Sequence, residues 1–174
     1  MDMIDLLATE ETKNYKCYFY LKHLIKENEE FRNILSEGLK EGKVSGFDDS
    51  MWLKIKLQNP RSSLTFEDAF KLGYNLGNCT GCAIQYSYSL DYPYICGGEL
   101  PLLKGTQNSP DGRHTWIESN GKIIDTTLML VMDKDFAMKL GYKEENRRNP
   151  NLEPRYIAAK DFITDPSIRA GRKI

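Results

Sequence analysis

Asn120-Gly121, set between two runs of alternating residues, constrains this chain more than any other dipeptide in it. A two-residue turn of this kind takes type I′ geometry and fixes the register of the strands it joins. It predicts a hairpin of Arg113 to Ser119 and Lys122 to Thr126. Ser119 then pairs with Lys122, Glu118 with Ile123, Ile117 with Ile124 and Trp116 with Asp125. Successive side chains point to opposite faces of a strand, so His114, Trp116, Glu118, Ile123 and Asp125 share one face. His114 and Asp125 become diagonal neighbours with Cα atoms roughly 7–8 Å apart, a gap that an imidazole and a carboxylate can bridge. Trp116 is expected to cover that bond, and Glu118, farther out, to be solvated.

The rest of the chain reads as a single α+β domain over residues 1–174. Residues 1–46 form a helical N-terminal part: Tyr18, Leu21 and Ile25, and then Phe31, Ile34, Leu35 and Leu39, recur at helical spacing. His23 belongs to these helices as an ordinary helix residue. Trp52 to Gln58 is expected as a short strand closed by Asn59-Pro60. Thr65, three residues before Asp68, caps a short helix, and a Gly- and Asn-rich loop follows at residues 73–78. Cys79, Cys82, Ala83, Tyr86 and Leu90 then line one side of a second helix, which places Cys79 in its first turn. Tyr94 to Cys96 and Leu100 to Lys104 are expected as strands around Gly97-Gly98. Asp133 is expected to cap a helix ending near Gly141, and residues 143–174, with Pro150, Pro154 and Pro166, to form an irregular extension.

With 24 basic and 25 acidic side chains, the chain has no global pull toward nucleic acid or an anionic membrane. No stretch approaches the roughly 20 apolar residues of a membrane span, and the acidic N-terminus is unlike a signal peptide, so a cytoplasmic setting is expected. In such a setting four unevenly spread cysteines point to catalysis, metal or plain burial rather than a disulfide framework. A nucleophilic cysteine needs a thiolate, which a helix N-terminus and a neighbouring imidazolium both favour. A carboxylate then orients the imidazole. Cys79, His114 and Asp125 supply these three parts. Asn78, beside the Cys79 backbone N–H, and Gln58 are candidate oxyanion donors.

Three segments, in order, resemble the transglutaminase-like branch of the papain-like cysteine enzymes. Gly77-Asn78-Cys79 with Ala83 is similar to the nucleophile motif, and His114-Thr115-Trp116-Ile117-Glu118 to the histidine strand. Gly121-Lys122-Ile123-Ile124-Asp125-Thr126-Thr127 is similar to the aspartate strand. The resemblance covers a catalytic core at about residues 65–130. It implies a papain-like fold with the nucleophile helix packed on an antiparallel sheet, and acyl chemistry on an amide or thioester of a protein or peptide substrate, with no cofactor. It leaves protease, amidase, deamidase, transglutaminase and acyltransferase open, and the oligomeric state also.

Two other readings compete. Cys79 and Cys82 form a Cys-x-x-Cys pair that Cys96 and His114 can complete as a Cys₃His zinc site. The same fold can also serve as a non-catalytic binding domain.

Overall fold

The computed structural model describes residues 2–60, 63–106 and 109–149. Its first three helices are α1 (Met3–Leu7), α2 (Cys17–Glu27) and α3 (Glu29–Lys40). Asn28 closes α2 and caps α3, its side chain accepting from Phe31 N at 2.9 Å, so the chain turns sharply between them. The helical reading of residues 1–46 holds for these three helices, but residues 8–16 are turns and Val44–Gly46 forms strand β1.

Residues 49–56 form helix α4 (Asp49–Lys56), not the strand expected from Trp52 to Gln58. The Asp48 carboxylate accepts from Met51 N at 2.9 Å and starts the helix, and Trp52 and Ile55 supply its buried face. Trp52 is the hub of an aromatic cluster, with ring centroids 5.5 Å from Tyr15, 5.8 Å from Phe47 and 5.4 Å from Phe70. Helix α5 (Phe66–Lys71) carries Phe70 and begins at a reciprocal capping box between Thr65 and Asp68. Phe47 also stacks on Tyr86 at 5.9 Å, which ties the cluster to helix α6 (Cys79–Ser87).

The remaining elements are β2 (Tyr94–Glu99), β3 (Arg113–Ser119), β4 (Lys122–Asp125), β5 (Leu130–Asp133), α7 (Lys134–Leu140) and β6 (Lys143–Arg148). All strand pairs are antiparallel, in the order β1-β5-β4-β3-β2-β6, and α6 packs on β3. The fold is therefore α+β: seven α-helices and one six-stranded antiparallel sheet among the described residues.

Asn120 and Gly121 take φ of 52° and 75°, the left-handed pair that the tight turn requires. The expected register follows: Ser119 opposite Lys122, Glu118 opposite Ile123, Ile117 opposite Ile124. The fourth expected pair, Trp116 with Asp125, is not part of the ladder. Trp116 pairs with Cys96 on β2, and Asp125 with Leu130 on β5.

Two other expectations fail along the sheet. Strand β2 runs through Gly97-Gly98 instead of breaking there, and Pro101–Leu103 is a 3₁₀ turn rather than part of a strand. Residues 143–148 are a regular edge strand, not the start of an irregular extension. Lys143–Arg148 is almost wholly exposed and carries no apolar residue, so backbone pairing with β2 and ion pairs to β3 hold it in place. Charge on an edge strand also discourages pairing with other chains. The rest of the expected extension, from Pro150 on, lies outside the described residues.

The pairing of β2 with β6 explains the glycines. The register shifts between Gly97 and Gly98, and a Cβ on Gly98 would collide with the Lys143 carbonyl oxygen. Gly98→Ala is expected to push β6 outward and lower stability by about 1–3 kcal/mol, the usual range for overpacking. Chemical denaturation measures this, and an unchanged midpoint would mean that β6 tolerates the displacement.

At the other end of the sheet, Asp133 sits at the start of α7 but makes no cap hydrogen bond. Its carboxylate is held by Lys43 and Lys122 instead. Gly141 closes α7 in the left-handed conformation, as expected.

Candidate active site

Helix α6 begins at Cys79, so the thiol stands where the first backbone N–H groups of a helix have no intrahelical partner. The preceding loop is held by Asn75, which is fully buried. Its amide donates to the Thr126 carbonyl at 3.1 Å and the Thr127 carbonyl at 3.4 Å. One side chain thus joins the segment before Cys79 to the segment after Asp125. The sequence reading missed this residue, although an Asn between two turn glycines was its visible trace.

His114 and Asp125 meet as the hairpin register required. His114 Nε2 lies 2.7 Å from Asp125 Oδ2, with both side chains buried. Cys79 is coupled to the same imidazole by hydrogen bonding and by charge. The three expected site residues therefore form one line: sulfur, imidazole, carboxylate.

The Asp125 carboxylate is saturated. Oδ1 accepts from Thr127 N and Leu128 N, each at 2.9 Å. Oδ2 accepts from His114 and also from the Tyr142 hydroxyl at 2.6 Å. Burial raises the Asp125 pKa, but the His114 charge and these donors outweigh it and hold the carboxyl below its usual range. His114 shows the converse. Burial disfavours its charged form, yet Asp125 and Cys79 lift it to about 10. Cys79 follows the same logic: burial pushes the thiol up, and His114 and Thr115 bring it below the ordinary value. The three shifts run in one direction: each favours the charged form of its group, thiolate, imidazolium and carboxylate.

Trp116 lies over the site as expected. It is 2% exposed, its ring centroid is 6.1 Å from that of His114, and it meets Tyr142 edge-on at 5.0 Å. Glu118 is not solvated. It is 8% exposed and bridges α7 and β6 through Lys134 at 2.6 Å and Arg147 at 2.7 Å. Those two elements cover the outer part of the β3 face, which the hairpin alone does not reveal.

Half-buried Cys79 opens into a cleft of about 330 Å³. Its walls include Thr80, Ile95, Gly97, Gly98, Arg113 and Asn146. Thr80 and Thr115 share a hydrogen bond of 2.9 Å beside the sulfur. A second hollow of about 10 Å³ lies against Cys79 and His114 and is lined by Tyr20, Gly77, Ser109 and Thr127. Asn78 is buried immediately before α6, with its side chain against Gly81. Gln58 lies just beyond α4 and lines neither space, so the structure does not bring it to the site. His23 is exposed on α2.

The other thiols face elsewhere. Cys82 is fully buried and directs its S–H toward the Asn75 carbonyl at 3.9 Å. Cys96 is fully buried on β2, and burial together with Glu144 raises its pKa strongly. Cys79, Cys82, Cys96 and His114 do not converge. Among the described residues, no three His, Cys, Asp or Glu side chains are placed to hold a metal ion. Among them, too, no helix is long and apolar enough to cross a membrane. No protein-family model, curated protein or solved structure matches this chain.

Proposed function

We propose that this chain is a cysteine-dependent acyl-transfer enzyme on a papain-like, transglutaminase-like core, acting on an amide of a protein or peptide substrate in the cytoplasm. The single observation that carries this reading is the buried Asp125–His114–Cys79 line, which ends in a half-buried sulfur at a helix N-terminus facing a cleft. Structural cysteines are inert and buried in apolar surroundings. A thiol with a lowered pKa, an imidazolium partner and access to solvent has what a nucleophile needs.

In the proposed reaction the Cys79 thiolate attacks the acyl carbon. A C–S bond forms, the C–N bond breaks, and His114 gives its sulfur-facing proton to the departing amine. Neutral His114 then takes a proton from water or from an acceptor amine as that nucleophile attacks the thioester. The sulfur leaves as thiolate, and the ion pair is restored. Asp125 holds the imidazole in the productive tautomer throughout. The Cys79 backbone N–H, with Asn78 beside it, is the candidate oxyanion donor.

Iodoacetamide at neutral pH is expected to label Cys79 well before Cys17, Cys82 and Cys96, read by peptide mass spectrometry. Slow, equal labelling of all four thiols would sink the reading. Proteome-derived peptides incubated with wild type and with Cys79→Ala are then expected to differ in deamidation, cleavage or cross-links. That difference assigns the reaction type.

A further inference from the structure

Tyr142 entered neither the sequence motifs nor the three-residue line, yet its contacts are as close as theirs. It lies in the short link between Gly141, which closes α7, and Lys143, which opens β6. Its hydroxyl donates to Asp125 Oδ2 at 2.6 Å, the same oxygen that receives His114 Nε2 at 2.7 Å. Its ring is 7% exposed, packs edge-on against Trp116 and lies 6.3 Å from the His114 ring. The ring is thus clamped by packing, and the hydroxyl is aimed at one atom.

We propose that Tyr142 is a positioning residue of this site, whose hydroxyl shares Asp125 Oδ2 with His114 and sets the upper pH limit of the Cys79–His114 ion pair. The proposal rests on the cysteine-enzyme reading. An O–H donated to a carboxylate withdraws electron density from it, so the carboxylate holds a neighbouring imidazolium less tightly. With two donors on Oδ2, each weakens the other's bond. The tyrosine also fixes the carboxylate's rotation, because both its oxygens are engaged from opposite sides: Thr127 and Leu128 N on Oδ1, His114 and Tyr142 on Oδ2.

The other charged or titratable groups around this line are identifiable. Cys79 faces it from α6, and Tyr20 from α2 and Arg113 from β3 border the hollow beside His114. Lys134 from α7, with Lys143 and Glu144 from β6, lines the outer groove that Tyr142 and Trp116 floor. Among the described residues none of these six groups hydrogen-bonds the Asp125 side chain, whose titratable partners are His114 and Tyr142.

The experiment is the pH dependence of Cys79 alkylation by iodoacetamide in the whole chain. Tyr142→Phe keeps the ring and removes the donor. Its alkaline limb is expected to move upward by about half a pH unit or more, because a shift of one unit corresponds to only about 1.4 kcal/mol of differential interaction. Placing 3-fluorotyrosine at position 142 keeps ring, fold and hydroxyl while strengthening the donor, and the same limb is expected to move downward. The proton shared by His114 and Asp125 should shift in the NMR spectrum in opposite senses in the two proteins. Limbs that stay in place in both folded variants would overturn the role of Tyr142. Wild-type Cys79 reacting no faster than free cysteine at pH 6 would instead overturn the cysteine-enzyme reading on which it rests.

Discussion

Asp125→Ala will cost the fold on the order of 3–5 kcal/mol, the range for removing one partner of a buried ion pair. The carboxylate is fully buried and accepts four hydrogen bonds. Alanine leaves Thr127 N, Leu128 N and the Tyr142 hydroxyl without their acceptor, and leaves His114 to lose its charge or bury it unpaired. Each unmet donor carries a desolvation penalty. A urea or guanidinium titration measures the loss, and a change below about 1 kcal/mol would contradict a structural role for the carboxylate. Asp125→Asn retains a carbonyl for the backbone donors and is expected to recover part of the loss.

The same groups set how stability depends on pH. Asp125 has a folded pKa below its ordinary 3.8, so it stabilises the fold above that value, and its contribution is lost as pH falls. His114 has a folded value near 10 against 6.5 for the free side chain. Its contribution is complete below 6.5 and lost as pH rises toward 10. Cys79 runs the other way: its folded pKa lies below 9.0, so its contribution is present above 9.0 and lost as pH falls. Below 9.0, wherever the folded thiol has already ionised and the free one has not, the Cys79 slope opposes the His114 slope. Their opposition flattens the pH dependence there, and above 9.0 the His114 contribution alone declines as pH rises toward 10.

Much of this site was legible because one local signal controls it. Asn120-Gly121 settles a register, the register settles which side chains share a face, and that brings His114 to Asp125 without any knowledge of the rest. The start of α6 was legible for a similar reason: apolar spacing resumes at Cys79 after a loop of glycine and asparagine. What escaped the sequence reading depends on tertiary context. Trp52 to Gln58, ahead of Asn59-Pro60, reads locally as a short strand, but the Asp48 cap and the Trp52/Ile55 spacing carry a helix into the aromatic cluster. Strand β6 has no hydrophobic pattern at all, because an exposed edge strand is held by its neighbour's backbone. Glu118 looked solvated from its own hairpin and is buried by elements that arrive later in the chain. Tyr142 was invisible for the same reason, since nothing in its local sequence points to a carboxylate 17 residues earlier.

His114→Ala is expected to slow alkylation of Cys79 at pH 6 by about tenfold or more. An unperturbed thiol with a pKa near 8.5 is ionised to only roughly 0.3% at that pH. In the wild type the His114 hydrogen bond and charge overcome the burial penalty and favour the thiolate. Removing the imidazole leaves the penalty and takes away what offset it. The helix N-terminus remains, so the thiol does not become ordinary in every respect. Part of the ionisation advantage is returned because a less basic thiolate is also a weaker nucleophile, with a Brønsted slope of about 0.4–0.5. For that reason the expected factor is tenfold rather than the full ratio of ionised fractions. The profile is as informative as the rate. Wild-type alkylation should persist well below pH 8, whereas the variant should respond only as pH approaches the ordinary thiol range. Asp125→Asn should fall between the two, because the imidazole survives but loses the charge that keeps it protonated. If His114→Ala and wild type share one alkylation profile, the imidazole does not control the sulfur, and the acyl-transfer mechanism loses its general acid.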